Sequence, residues 1–247
     1  MAIMHRNVIN LFLQDKSQFR SDLLNIYDYI HSGNLNGVAN VRDIIINFRN
    51  KLSKVDKTNN WISGQNDVFD LIKLMVDNDV FPKEFIVEDI PLVEKDPSKS
   101  IKYNHSIPDA IYGSVTNSVF FLYISRGSTD DANKKLMFDV TAKARFAKPK
   151  STSTYNLISI VSHIGEYLNY GHYVAYIKLE NNVWYRYNDM SSSLSIITMM
   201  DSNGLPKPID PTETFVGFFY VSDRAGREAD ARRNTNGRSS RNLRFLA

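Results

Sequence analysis

Residues 155–189, YNLISIVSHIGEYLNYGHYVAYIKLENNVWYRYND, leave little freedom in what this chain can fold into. Three apolar runs sit inside the stretch. The first holds Leu157, Ile158, Ile160 and Val161; the second Tyr173, Val174, Ala175, Tyr176 and Ile177; the third Val183, Trp184, Tyr185 and Tyr187. All three are rich in β-branched and aromatic residues, and Gly or Asn clusters separate them, which reads as three strands. Glu180-Asn181-Asn182 reads as a hairpin turn between the second and third, because Asn tolerates positive φ.

His172 stands at the mouth of the second strand, and Asn188 and Asp189 stand at the end of the third. An antiparallel hairpin brings those two ends together. An imidazole would then have an amide or carboxylate beside it, able to fix its tautomer and orientation, which is the base-and-orienter half of a catalytic triad. A single His on a strand beside an Asp is more often a satisfied structural histidine, so the pair alone does not define a site.

The whole string is more specific, and it resembles the histidine box of the ubiquitin-specific proteases, which are papain-like deubiquitinating enzymes. The matching residues are Tyr155, Leu157, Val161, His163, Gly165, Gly171, His172, Tyr173, Ala175, Tyr176, Trp184, Tyr185, Tyr187 and Asp189, with Asn188 in the family's Asp/Asn place. The resemblance implies that His172 sits where the general base sits and Asn188 where its orienter sits. Gly64-Gln65-Asn66-Asp67-Val68-Phe69-Asp70-Leu71 is similar to the family's Gln-Gln-Asp-Ala-x-Glu-Phe-Leu segment. Met4-His5-Arg6-Asn7-Val8-Ile9 aligns with the end of the family's cysteine box, which puts Met4 at the nucleophile position and leaves no room for the loop carrying the oxyanion-hole Asn. With gaps, the likeness runs from about residue 4 to 222.

Composition now decides the chemistry. The 247 residues contain no cysteine, so disulfides, thiolate–metal sites and a cysteine nucleophile are all excluded from this chain. A thioether cannot ionise, whereas the family's chemistry needs a thiolate. A replacement Ser or Thr is absent before Ser17, too far along to take the place of Met4. No apolar run approaches the roughly 20 residues of a membrane helix, and the first residues lack a signal peptide's apolar core. The expectation is a soluble intracellular protein, cytoplasmic or nuclear, with no membrane contact, metal or cofactor.

Residues 1–80 read as a helical lobe of four helices. Val8, Leu11, Phe12, Phe19, Leu23, Ile26, Tyr27 and Ile30 recur at helical spacing, with Asp15 or Ser17 as a cap. Helices around Val41–Leu52 and over Gln65–Asp77 follow, separated by a polar loop from Lys54 to Asn60. Residues 81–223 read as a β-rich lobe. Phe85–Val87, Ile90–Val93, Val119–Ile124, Lys135–Val140, Leu194–Met200 and Phe215–Val221 are its further strands; Ile107–Tyr112 is helical or extended, and Ala142–Phe146 continues the sheet or crosses over. The resemblance implies a fingers subdomain in the middle, here reduced or absent, since the stretch is short and has no zinc-binding cysteines. The expected fold is α+β and papain-like: a helical lobe packed on a mainly antiparallel sheet, with His172 at the lobe boundary.

Residues 224–247 differ from everything before them. Seven arginines against two acids give this tail a net charge of +5, while the whole chain carries +3. Such a segment cannot bury enough apolar surface to order itself. Arg232, Arg233, Arg238, Arg241 and Arg244 are candidate contacts to phosphates or to an acidic protein face, arginine favouring fixed bidentate pairing. No motif for sequence-specific nucleic-acid reading accompanies them. The expectations are therefore a catalytically inactive protease-like module used for binding or assembly, with ubiquitin, a ubiquitin-like protein or a larger assembly such as a viral particle as partner. Nucleic acid through the tail remains an alternative, and an active hydrolase with a replaced nucleophile comes last.

Overall fold

The structure is a computed structural model, and it describes residues 17–31, 38–64, 66–83, 86–89, 102–105, 119–126, 135, 139–142, 145–147, 154–178, 183–188, 190, 195–197, 199–201 and 204–222. Among the described residues three helices come first: α1 (Arg20–His31), α2 (Val38–Val55) and α3 (Val68–Asp77). Ten strands among the described residues follow: β1 (Ile86–Asp89), β2 (Lys102–His105), β3 (Val119–Ile124), β4 (Asp139–Ala142), β5 (Arg145–Ala147), β6 (Thr154–Ile164), β7 (His172–Lys178), β8 (Trp184–Tyr187), β9 (Ser195–Ile197) and β10 (Glu213–Ser222). The main sheet has eight strands in the order β1-β3-β10-β6-β7-β8-β9, with β5 paired to β6 off that path. Its pairings are antiparallel except β1 with β3, and a separate parallel pair joins β2 to β4.

The sheet buries both faces, and side-chain alternation sorts its residues between them. Phe120, Leu122, Ile124, Leu157, Tyr176, Trp184, Phe218 and Tyr220 pack in one cluster. Val119, Phe121, Val161, Phe219 and Val221 point the other way, against Phe19, Leu52, Trp61, Ile72, Met75, Val80 and Phe81 of the helical lobe. All ten residues of β10 are buried, as a central strand covered on both faces requires. Phe215 nevertheless shares a face with Phe218 and Tyr220, which strict alternation forbids. The register shift between Phe215 and Gly217 resolves this, since one extra residue flips the side-chain parity. Gly217 is required there, because a Cβ would strike the Phe121 ring.

In the helical lobe, Ser17 caps the approach to α1 as the sequence suggests, its hydroxyl accepting from Phe19 N at 3.2 Å. Three boundaries differ from the sequence reading. Helix α3 begins at Val68 and not at residue 65, because Asp67 takes the N-cap: its backbone is extended and its carboxylate accepts from Phe69 N at 2.6 Å. Helix α2 runs through Val55, and the turn beyond it is gathered by Asp56, which accepts from Thr58 N at 2.8 Å, Asn59 Nδ2 at 3.0 Å and Trp61 Nε1 at 2.7 Å. The strand expected at Lys135–Val140 is Asp139–Ala142. Lys135 instead donates its backbone N–H to Glu166 O at 2.8 Å, drawn to the β6–β7 connection where its ammonium is buried. The apolar positions at 8–12, the Ile90–Val93 and Ile107–Tyr112 segments, the 180–182 turn and the 224–247 tail lie outside the described residues. Among the described residues no helix is long and apolar enough to cross a membrane, and no three acidic, His or Cys side chains are grouped to hold a metal.

Candidate functional site

Strands β6 and β7 pair so that His163 faces Tyr173 and Ile164 faces His172. The last β7–β8 pair is Ala175 with Tyr187, so Asn188 follows β8 just where the hairpin returns toward the start of β7. His172 Nε2 and Asn188 Oδ1 are 2.8 Å apart. The same amide oxygen accepts from Met190 N at 3.0 Å, which fixes it as an acceptor. His172 is therefore the donor through Nε2–H, and its neutral form carries the lone pair on Nδ1. That is the tautomer a general base needs. The meeting of His172 and Asn188 was read from the sequence; Asp189 and Met4 lie outside the described residues, as do Arg232, Arg233, Arg238, Arg241 and Arg244.

His172 opens into a cleft of about 540 Å³ between the lobes. Arg49, Asp67 and Asp70 line it from the helical side, and His163, Gly171 and Tyr173 from the sheet. Tyr173 ties the two walls together. Its hydroxyl lies beside the Asp67 carboxyl group and the Val68 backbone at the start of α3. Burial, ahead of the carboxylate beside it, pushes the Tyr173 phenol well above its ordinary range, and burial likewise raises Asp67. The hydroxyl thus stays protonated.

Behind the cleft lies a polar layer that the sequence did not advertise. Lys135, 2 % exposed, places Nζ 3.0 Å from His163 O, 2.8 Å from Thr212 O and 3.3 Å from His163 Nδ1. Burial, then the neighbouring Arg126 charge, lowers Lys135 to about 8, against the opposing pull of Asp210 and Glu213. Burial, then the Lys135 and His172 charges, lowers His163 to about 4. Nearby, Glu213 accepts from Tyr176 Oη at 2.6 Å and from Arg186 at 3.3 Å. Its second oxygen also takes Ile209 N at 3.1 Å. Lys135 carries no local sequence signal, since its side-chain partners are distant in the chain, and the Tyr176 and Arg186 partners of Glu213 are distant as well. Asp67 lay in the recognised 64–71 segment, but only the structure reveals its place beside Tyr173.

Comparison with known proteins now bears on this geometry. The ubiquitin carboxyl-terminal hydrolase family model matches residues 13–204. The chain belongs to that family. Ubiquitin carboxyl-terminal hydrolase 7 of Arabidopsis thaliana is 42% identical over 48 residues, and ubiquitin carboxyl-terminal hydrolase 26 of Homo sapiens is 41% identical over 63 residues. Those stretches span 19% and 24% of this chain but only 10% and 7% of the two relatives. Among solved structures, the SAGA Ubp8/Sgf11/Sus1/Sgf73 DUB module bound to ubiquitin aldehyde matches over 87% of this chain and 62% of that one, with a TM-score of 0.54 at 17% identity. At that identity the likeness establishes the fold. The expected ubiquitin-specific protease resemblance and the papain-like α+β architecture are both borne out.

Proposed function

We propose that this chain is a catalytically silent ubiquitin-specific protease-like module whose interlobe cleft binds a protein partner, with ubiquitin or a ubiquitin-like protein the first to test. One observation carries the reading: the His172–Asn188 pair and its cleft persist in 247 residues that contain no cysteine. Acyl transfer needs a nucleophile that the base can activate. Among the described residues lining the cleft, none is Ser, Thr or Cys, and the sequence aligns Met4 with the nucleophile's place. His172 and Asn188 are then a retained strand-end hydrogen bond at the mouth of a binding groove. The Ubp8 module, bound to ubiquitin aldehyde in its solved structure, supports ubiquitin as the first ligand, and its multiprotein composition supports a role inside an assembly.

The experiment is a titration of ubiquitin and diubiquitin into the purified chain, followed by NMR or calorimetry. Saturable binding whose shifts cluster on His172, Asn188 and Tyr173 is expected. Absence of binding at high micromolar concentration removes ubiquitin as the partner and leaves the assembly role. Release of a ubiquitin-linked amide reporter that disappears in His172→Ala would sink the claim of catalytic silence.

A further inference from the structure

Lys135 grips the root of the β6–β7 loop with its backbone and with its side chain. Its N–H donates to Glu166 O at 2.8 Å. Its Nζ reaches Thr212 O at 2.8 Å, His163 O at 3.0 Å and His163 Nδ1 at 3.3 Å. An ammonium has only protons to give, so Nδ1 is the acceptor and the His163 ring proton sits on Nε2. Three acceptors thus use all three ammonium protons. Lys135 itself comes from the connection between β3 and β4, so it joins a third stretch of chain to the end of β6 and to the turn before β10. That turn supplies a second pin. Thr212 Oγ1 donates to Asp210 Oδ1 at 2.6 Å and accepts from Gly165 N at 3.1 Å.

Beyond its root the loop packs little of itself. Glu166, Tyr167, Asn169 and Tyr170 are exposed, Tyr170 at 72 %. Leu168, Asn169 and Tyr170 nevertheless line the cleft, so the posture of that wall is set at the root. We propose that Lys135 is a strap that fixes the β6–β7 loop, and with it one wall of the cleft, by binding the loop's root to the turn before β10. The strap is local in its effect, because its charge works against folding as a whole. Facing the ammonium are His163 from β6, Arg126 from just beyond β3, and Asp210 and Glu213 from the turn and the start of β10. Burial, then Arg126, lowers Lys135 from 10.5 to about 8. Between those values the unfolded chain holds the extra proton, so stability rises with pH through that window, and at neutral pH the buried charge opposes folding. What the four bonds supply in return is the fixed position of residues 163–166.

The test is NMR of the full chain without any ligand, so its outcome is separate from whether ubiquitin binds. In the wild type, backbone order parameters of residues 167–170 should lie near the rigid range of about 0.85 despite their exposure. Values below about 0.6, the flexible range, overturn the strap without any variant having to fold. Native-state hydrogen exchange then compares the wild type with Lys135→Met, which keeps an apolar stem and removes the ammonium. The amides at positions 135 and 165 should exchange at least about tenfold faster in the variant, while those of Phe218 and Tyr220 in β10 change by less than about threefold. Unchanged exchange at 135 and 165 overturns the proposal. Equal acceleration there and in β10 also overturns it, since Lys135 would then be an ordinary contributor to overall stability. Should Lys135→Met fail to fold, exchange of the wild type in dilute denaturant decides: the Lys135 and Gly165 amides should open in one shared event below the global one, and separate openings overturn the strap.

Discussion

His163 and His172 stand at opposite ends of the loop joining β6 to β7, and they differ in what they offer the cleft. Both carry their proton on Nε2. In His172 that proton is committed to Asn188, 2.8 Å away, and the lone pair sits on Nδ1. In His163 the lone pair is committed to Lys135, and the N–H is what remains. One ring is half-buried and held by an amide; the other is buried and held by a cation. A single tautomer thus yields two opposite chemical faces, and the choice is made by which nitrogen the surrounding fold occupies.

The strongest way to break this contrast is to crowd the His163 ring. Gly171→Val places a side chain against His163 Nε2 and the Ile164 carbonyl, and the backbone oxygen cannot step aside cheaply. The expected loss is about 3–4 kcal/mol, above the ~1–3 kcal/mol typical of overpacking because backbone is struck, read by urea unfolding. A slightly smaller effect comes from pH. His163 has a folded midpoint of about 4 against an ordinary 6.5, so between those values the unfolded chain binds the extra proton. Stability is therefore complete above about pH 6.5 and falls as pH drops toward 4, by about 3 kcal/mol for this group. His163→Gln should flatten that slope in unfolding curves collected across the window; an equal slope in the variant would assign it to other groups. The smallest effect is expected from Asn188→Ala, about 1–2 kcal/mol for the two partly exposed hydrogen bonds its Oδ1 accepts. Its sharper readout is the His172 tautomer, which should become mixed while His163 stays fixed.

Much of this arrangement was legible in the sequence, for identifiable reasons. The three strands of 155–189 were marked by β-branched and aromatic runs with Gly and Asn between them, and hairpin pairing then brought Asn188 to His172. The Lys135 clamp was not legible. Its acceptors lie 28 and 77 residues away in sequence, and within its own stretch the lysine read as part of a strand. The start of α3 was misplaced because the polar run before Val68 offers several residues able to begin a helix, and only the bond from Phe69 N singles out Asp67. The parity of β10 was hidden for a similar reason: Gly217 in a run of aromatics looks like a weak spot until the Phe121 ring against it is seen.

The Tyr173 hydroxyl, set beside Asp67 and the first turn of α3, has a consequence for how a ligand would be received. Opening the lobes like a hinge would part a half-buried phenol from a half-buried carboxyl group, which resists widening of the groove. A partner meets a mould whose walls have already lost their freedom, and little ordering entropy is left to oppose the encounter. Association should then be quick and selective for ligands already extended, and a bulky or folded segment would be turned away at the rim.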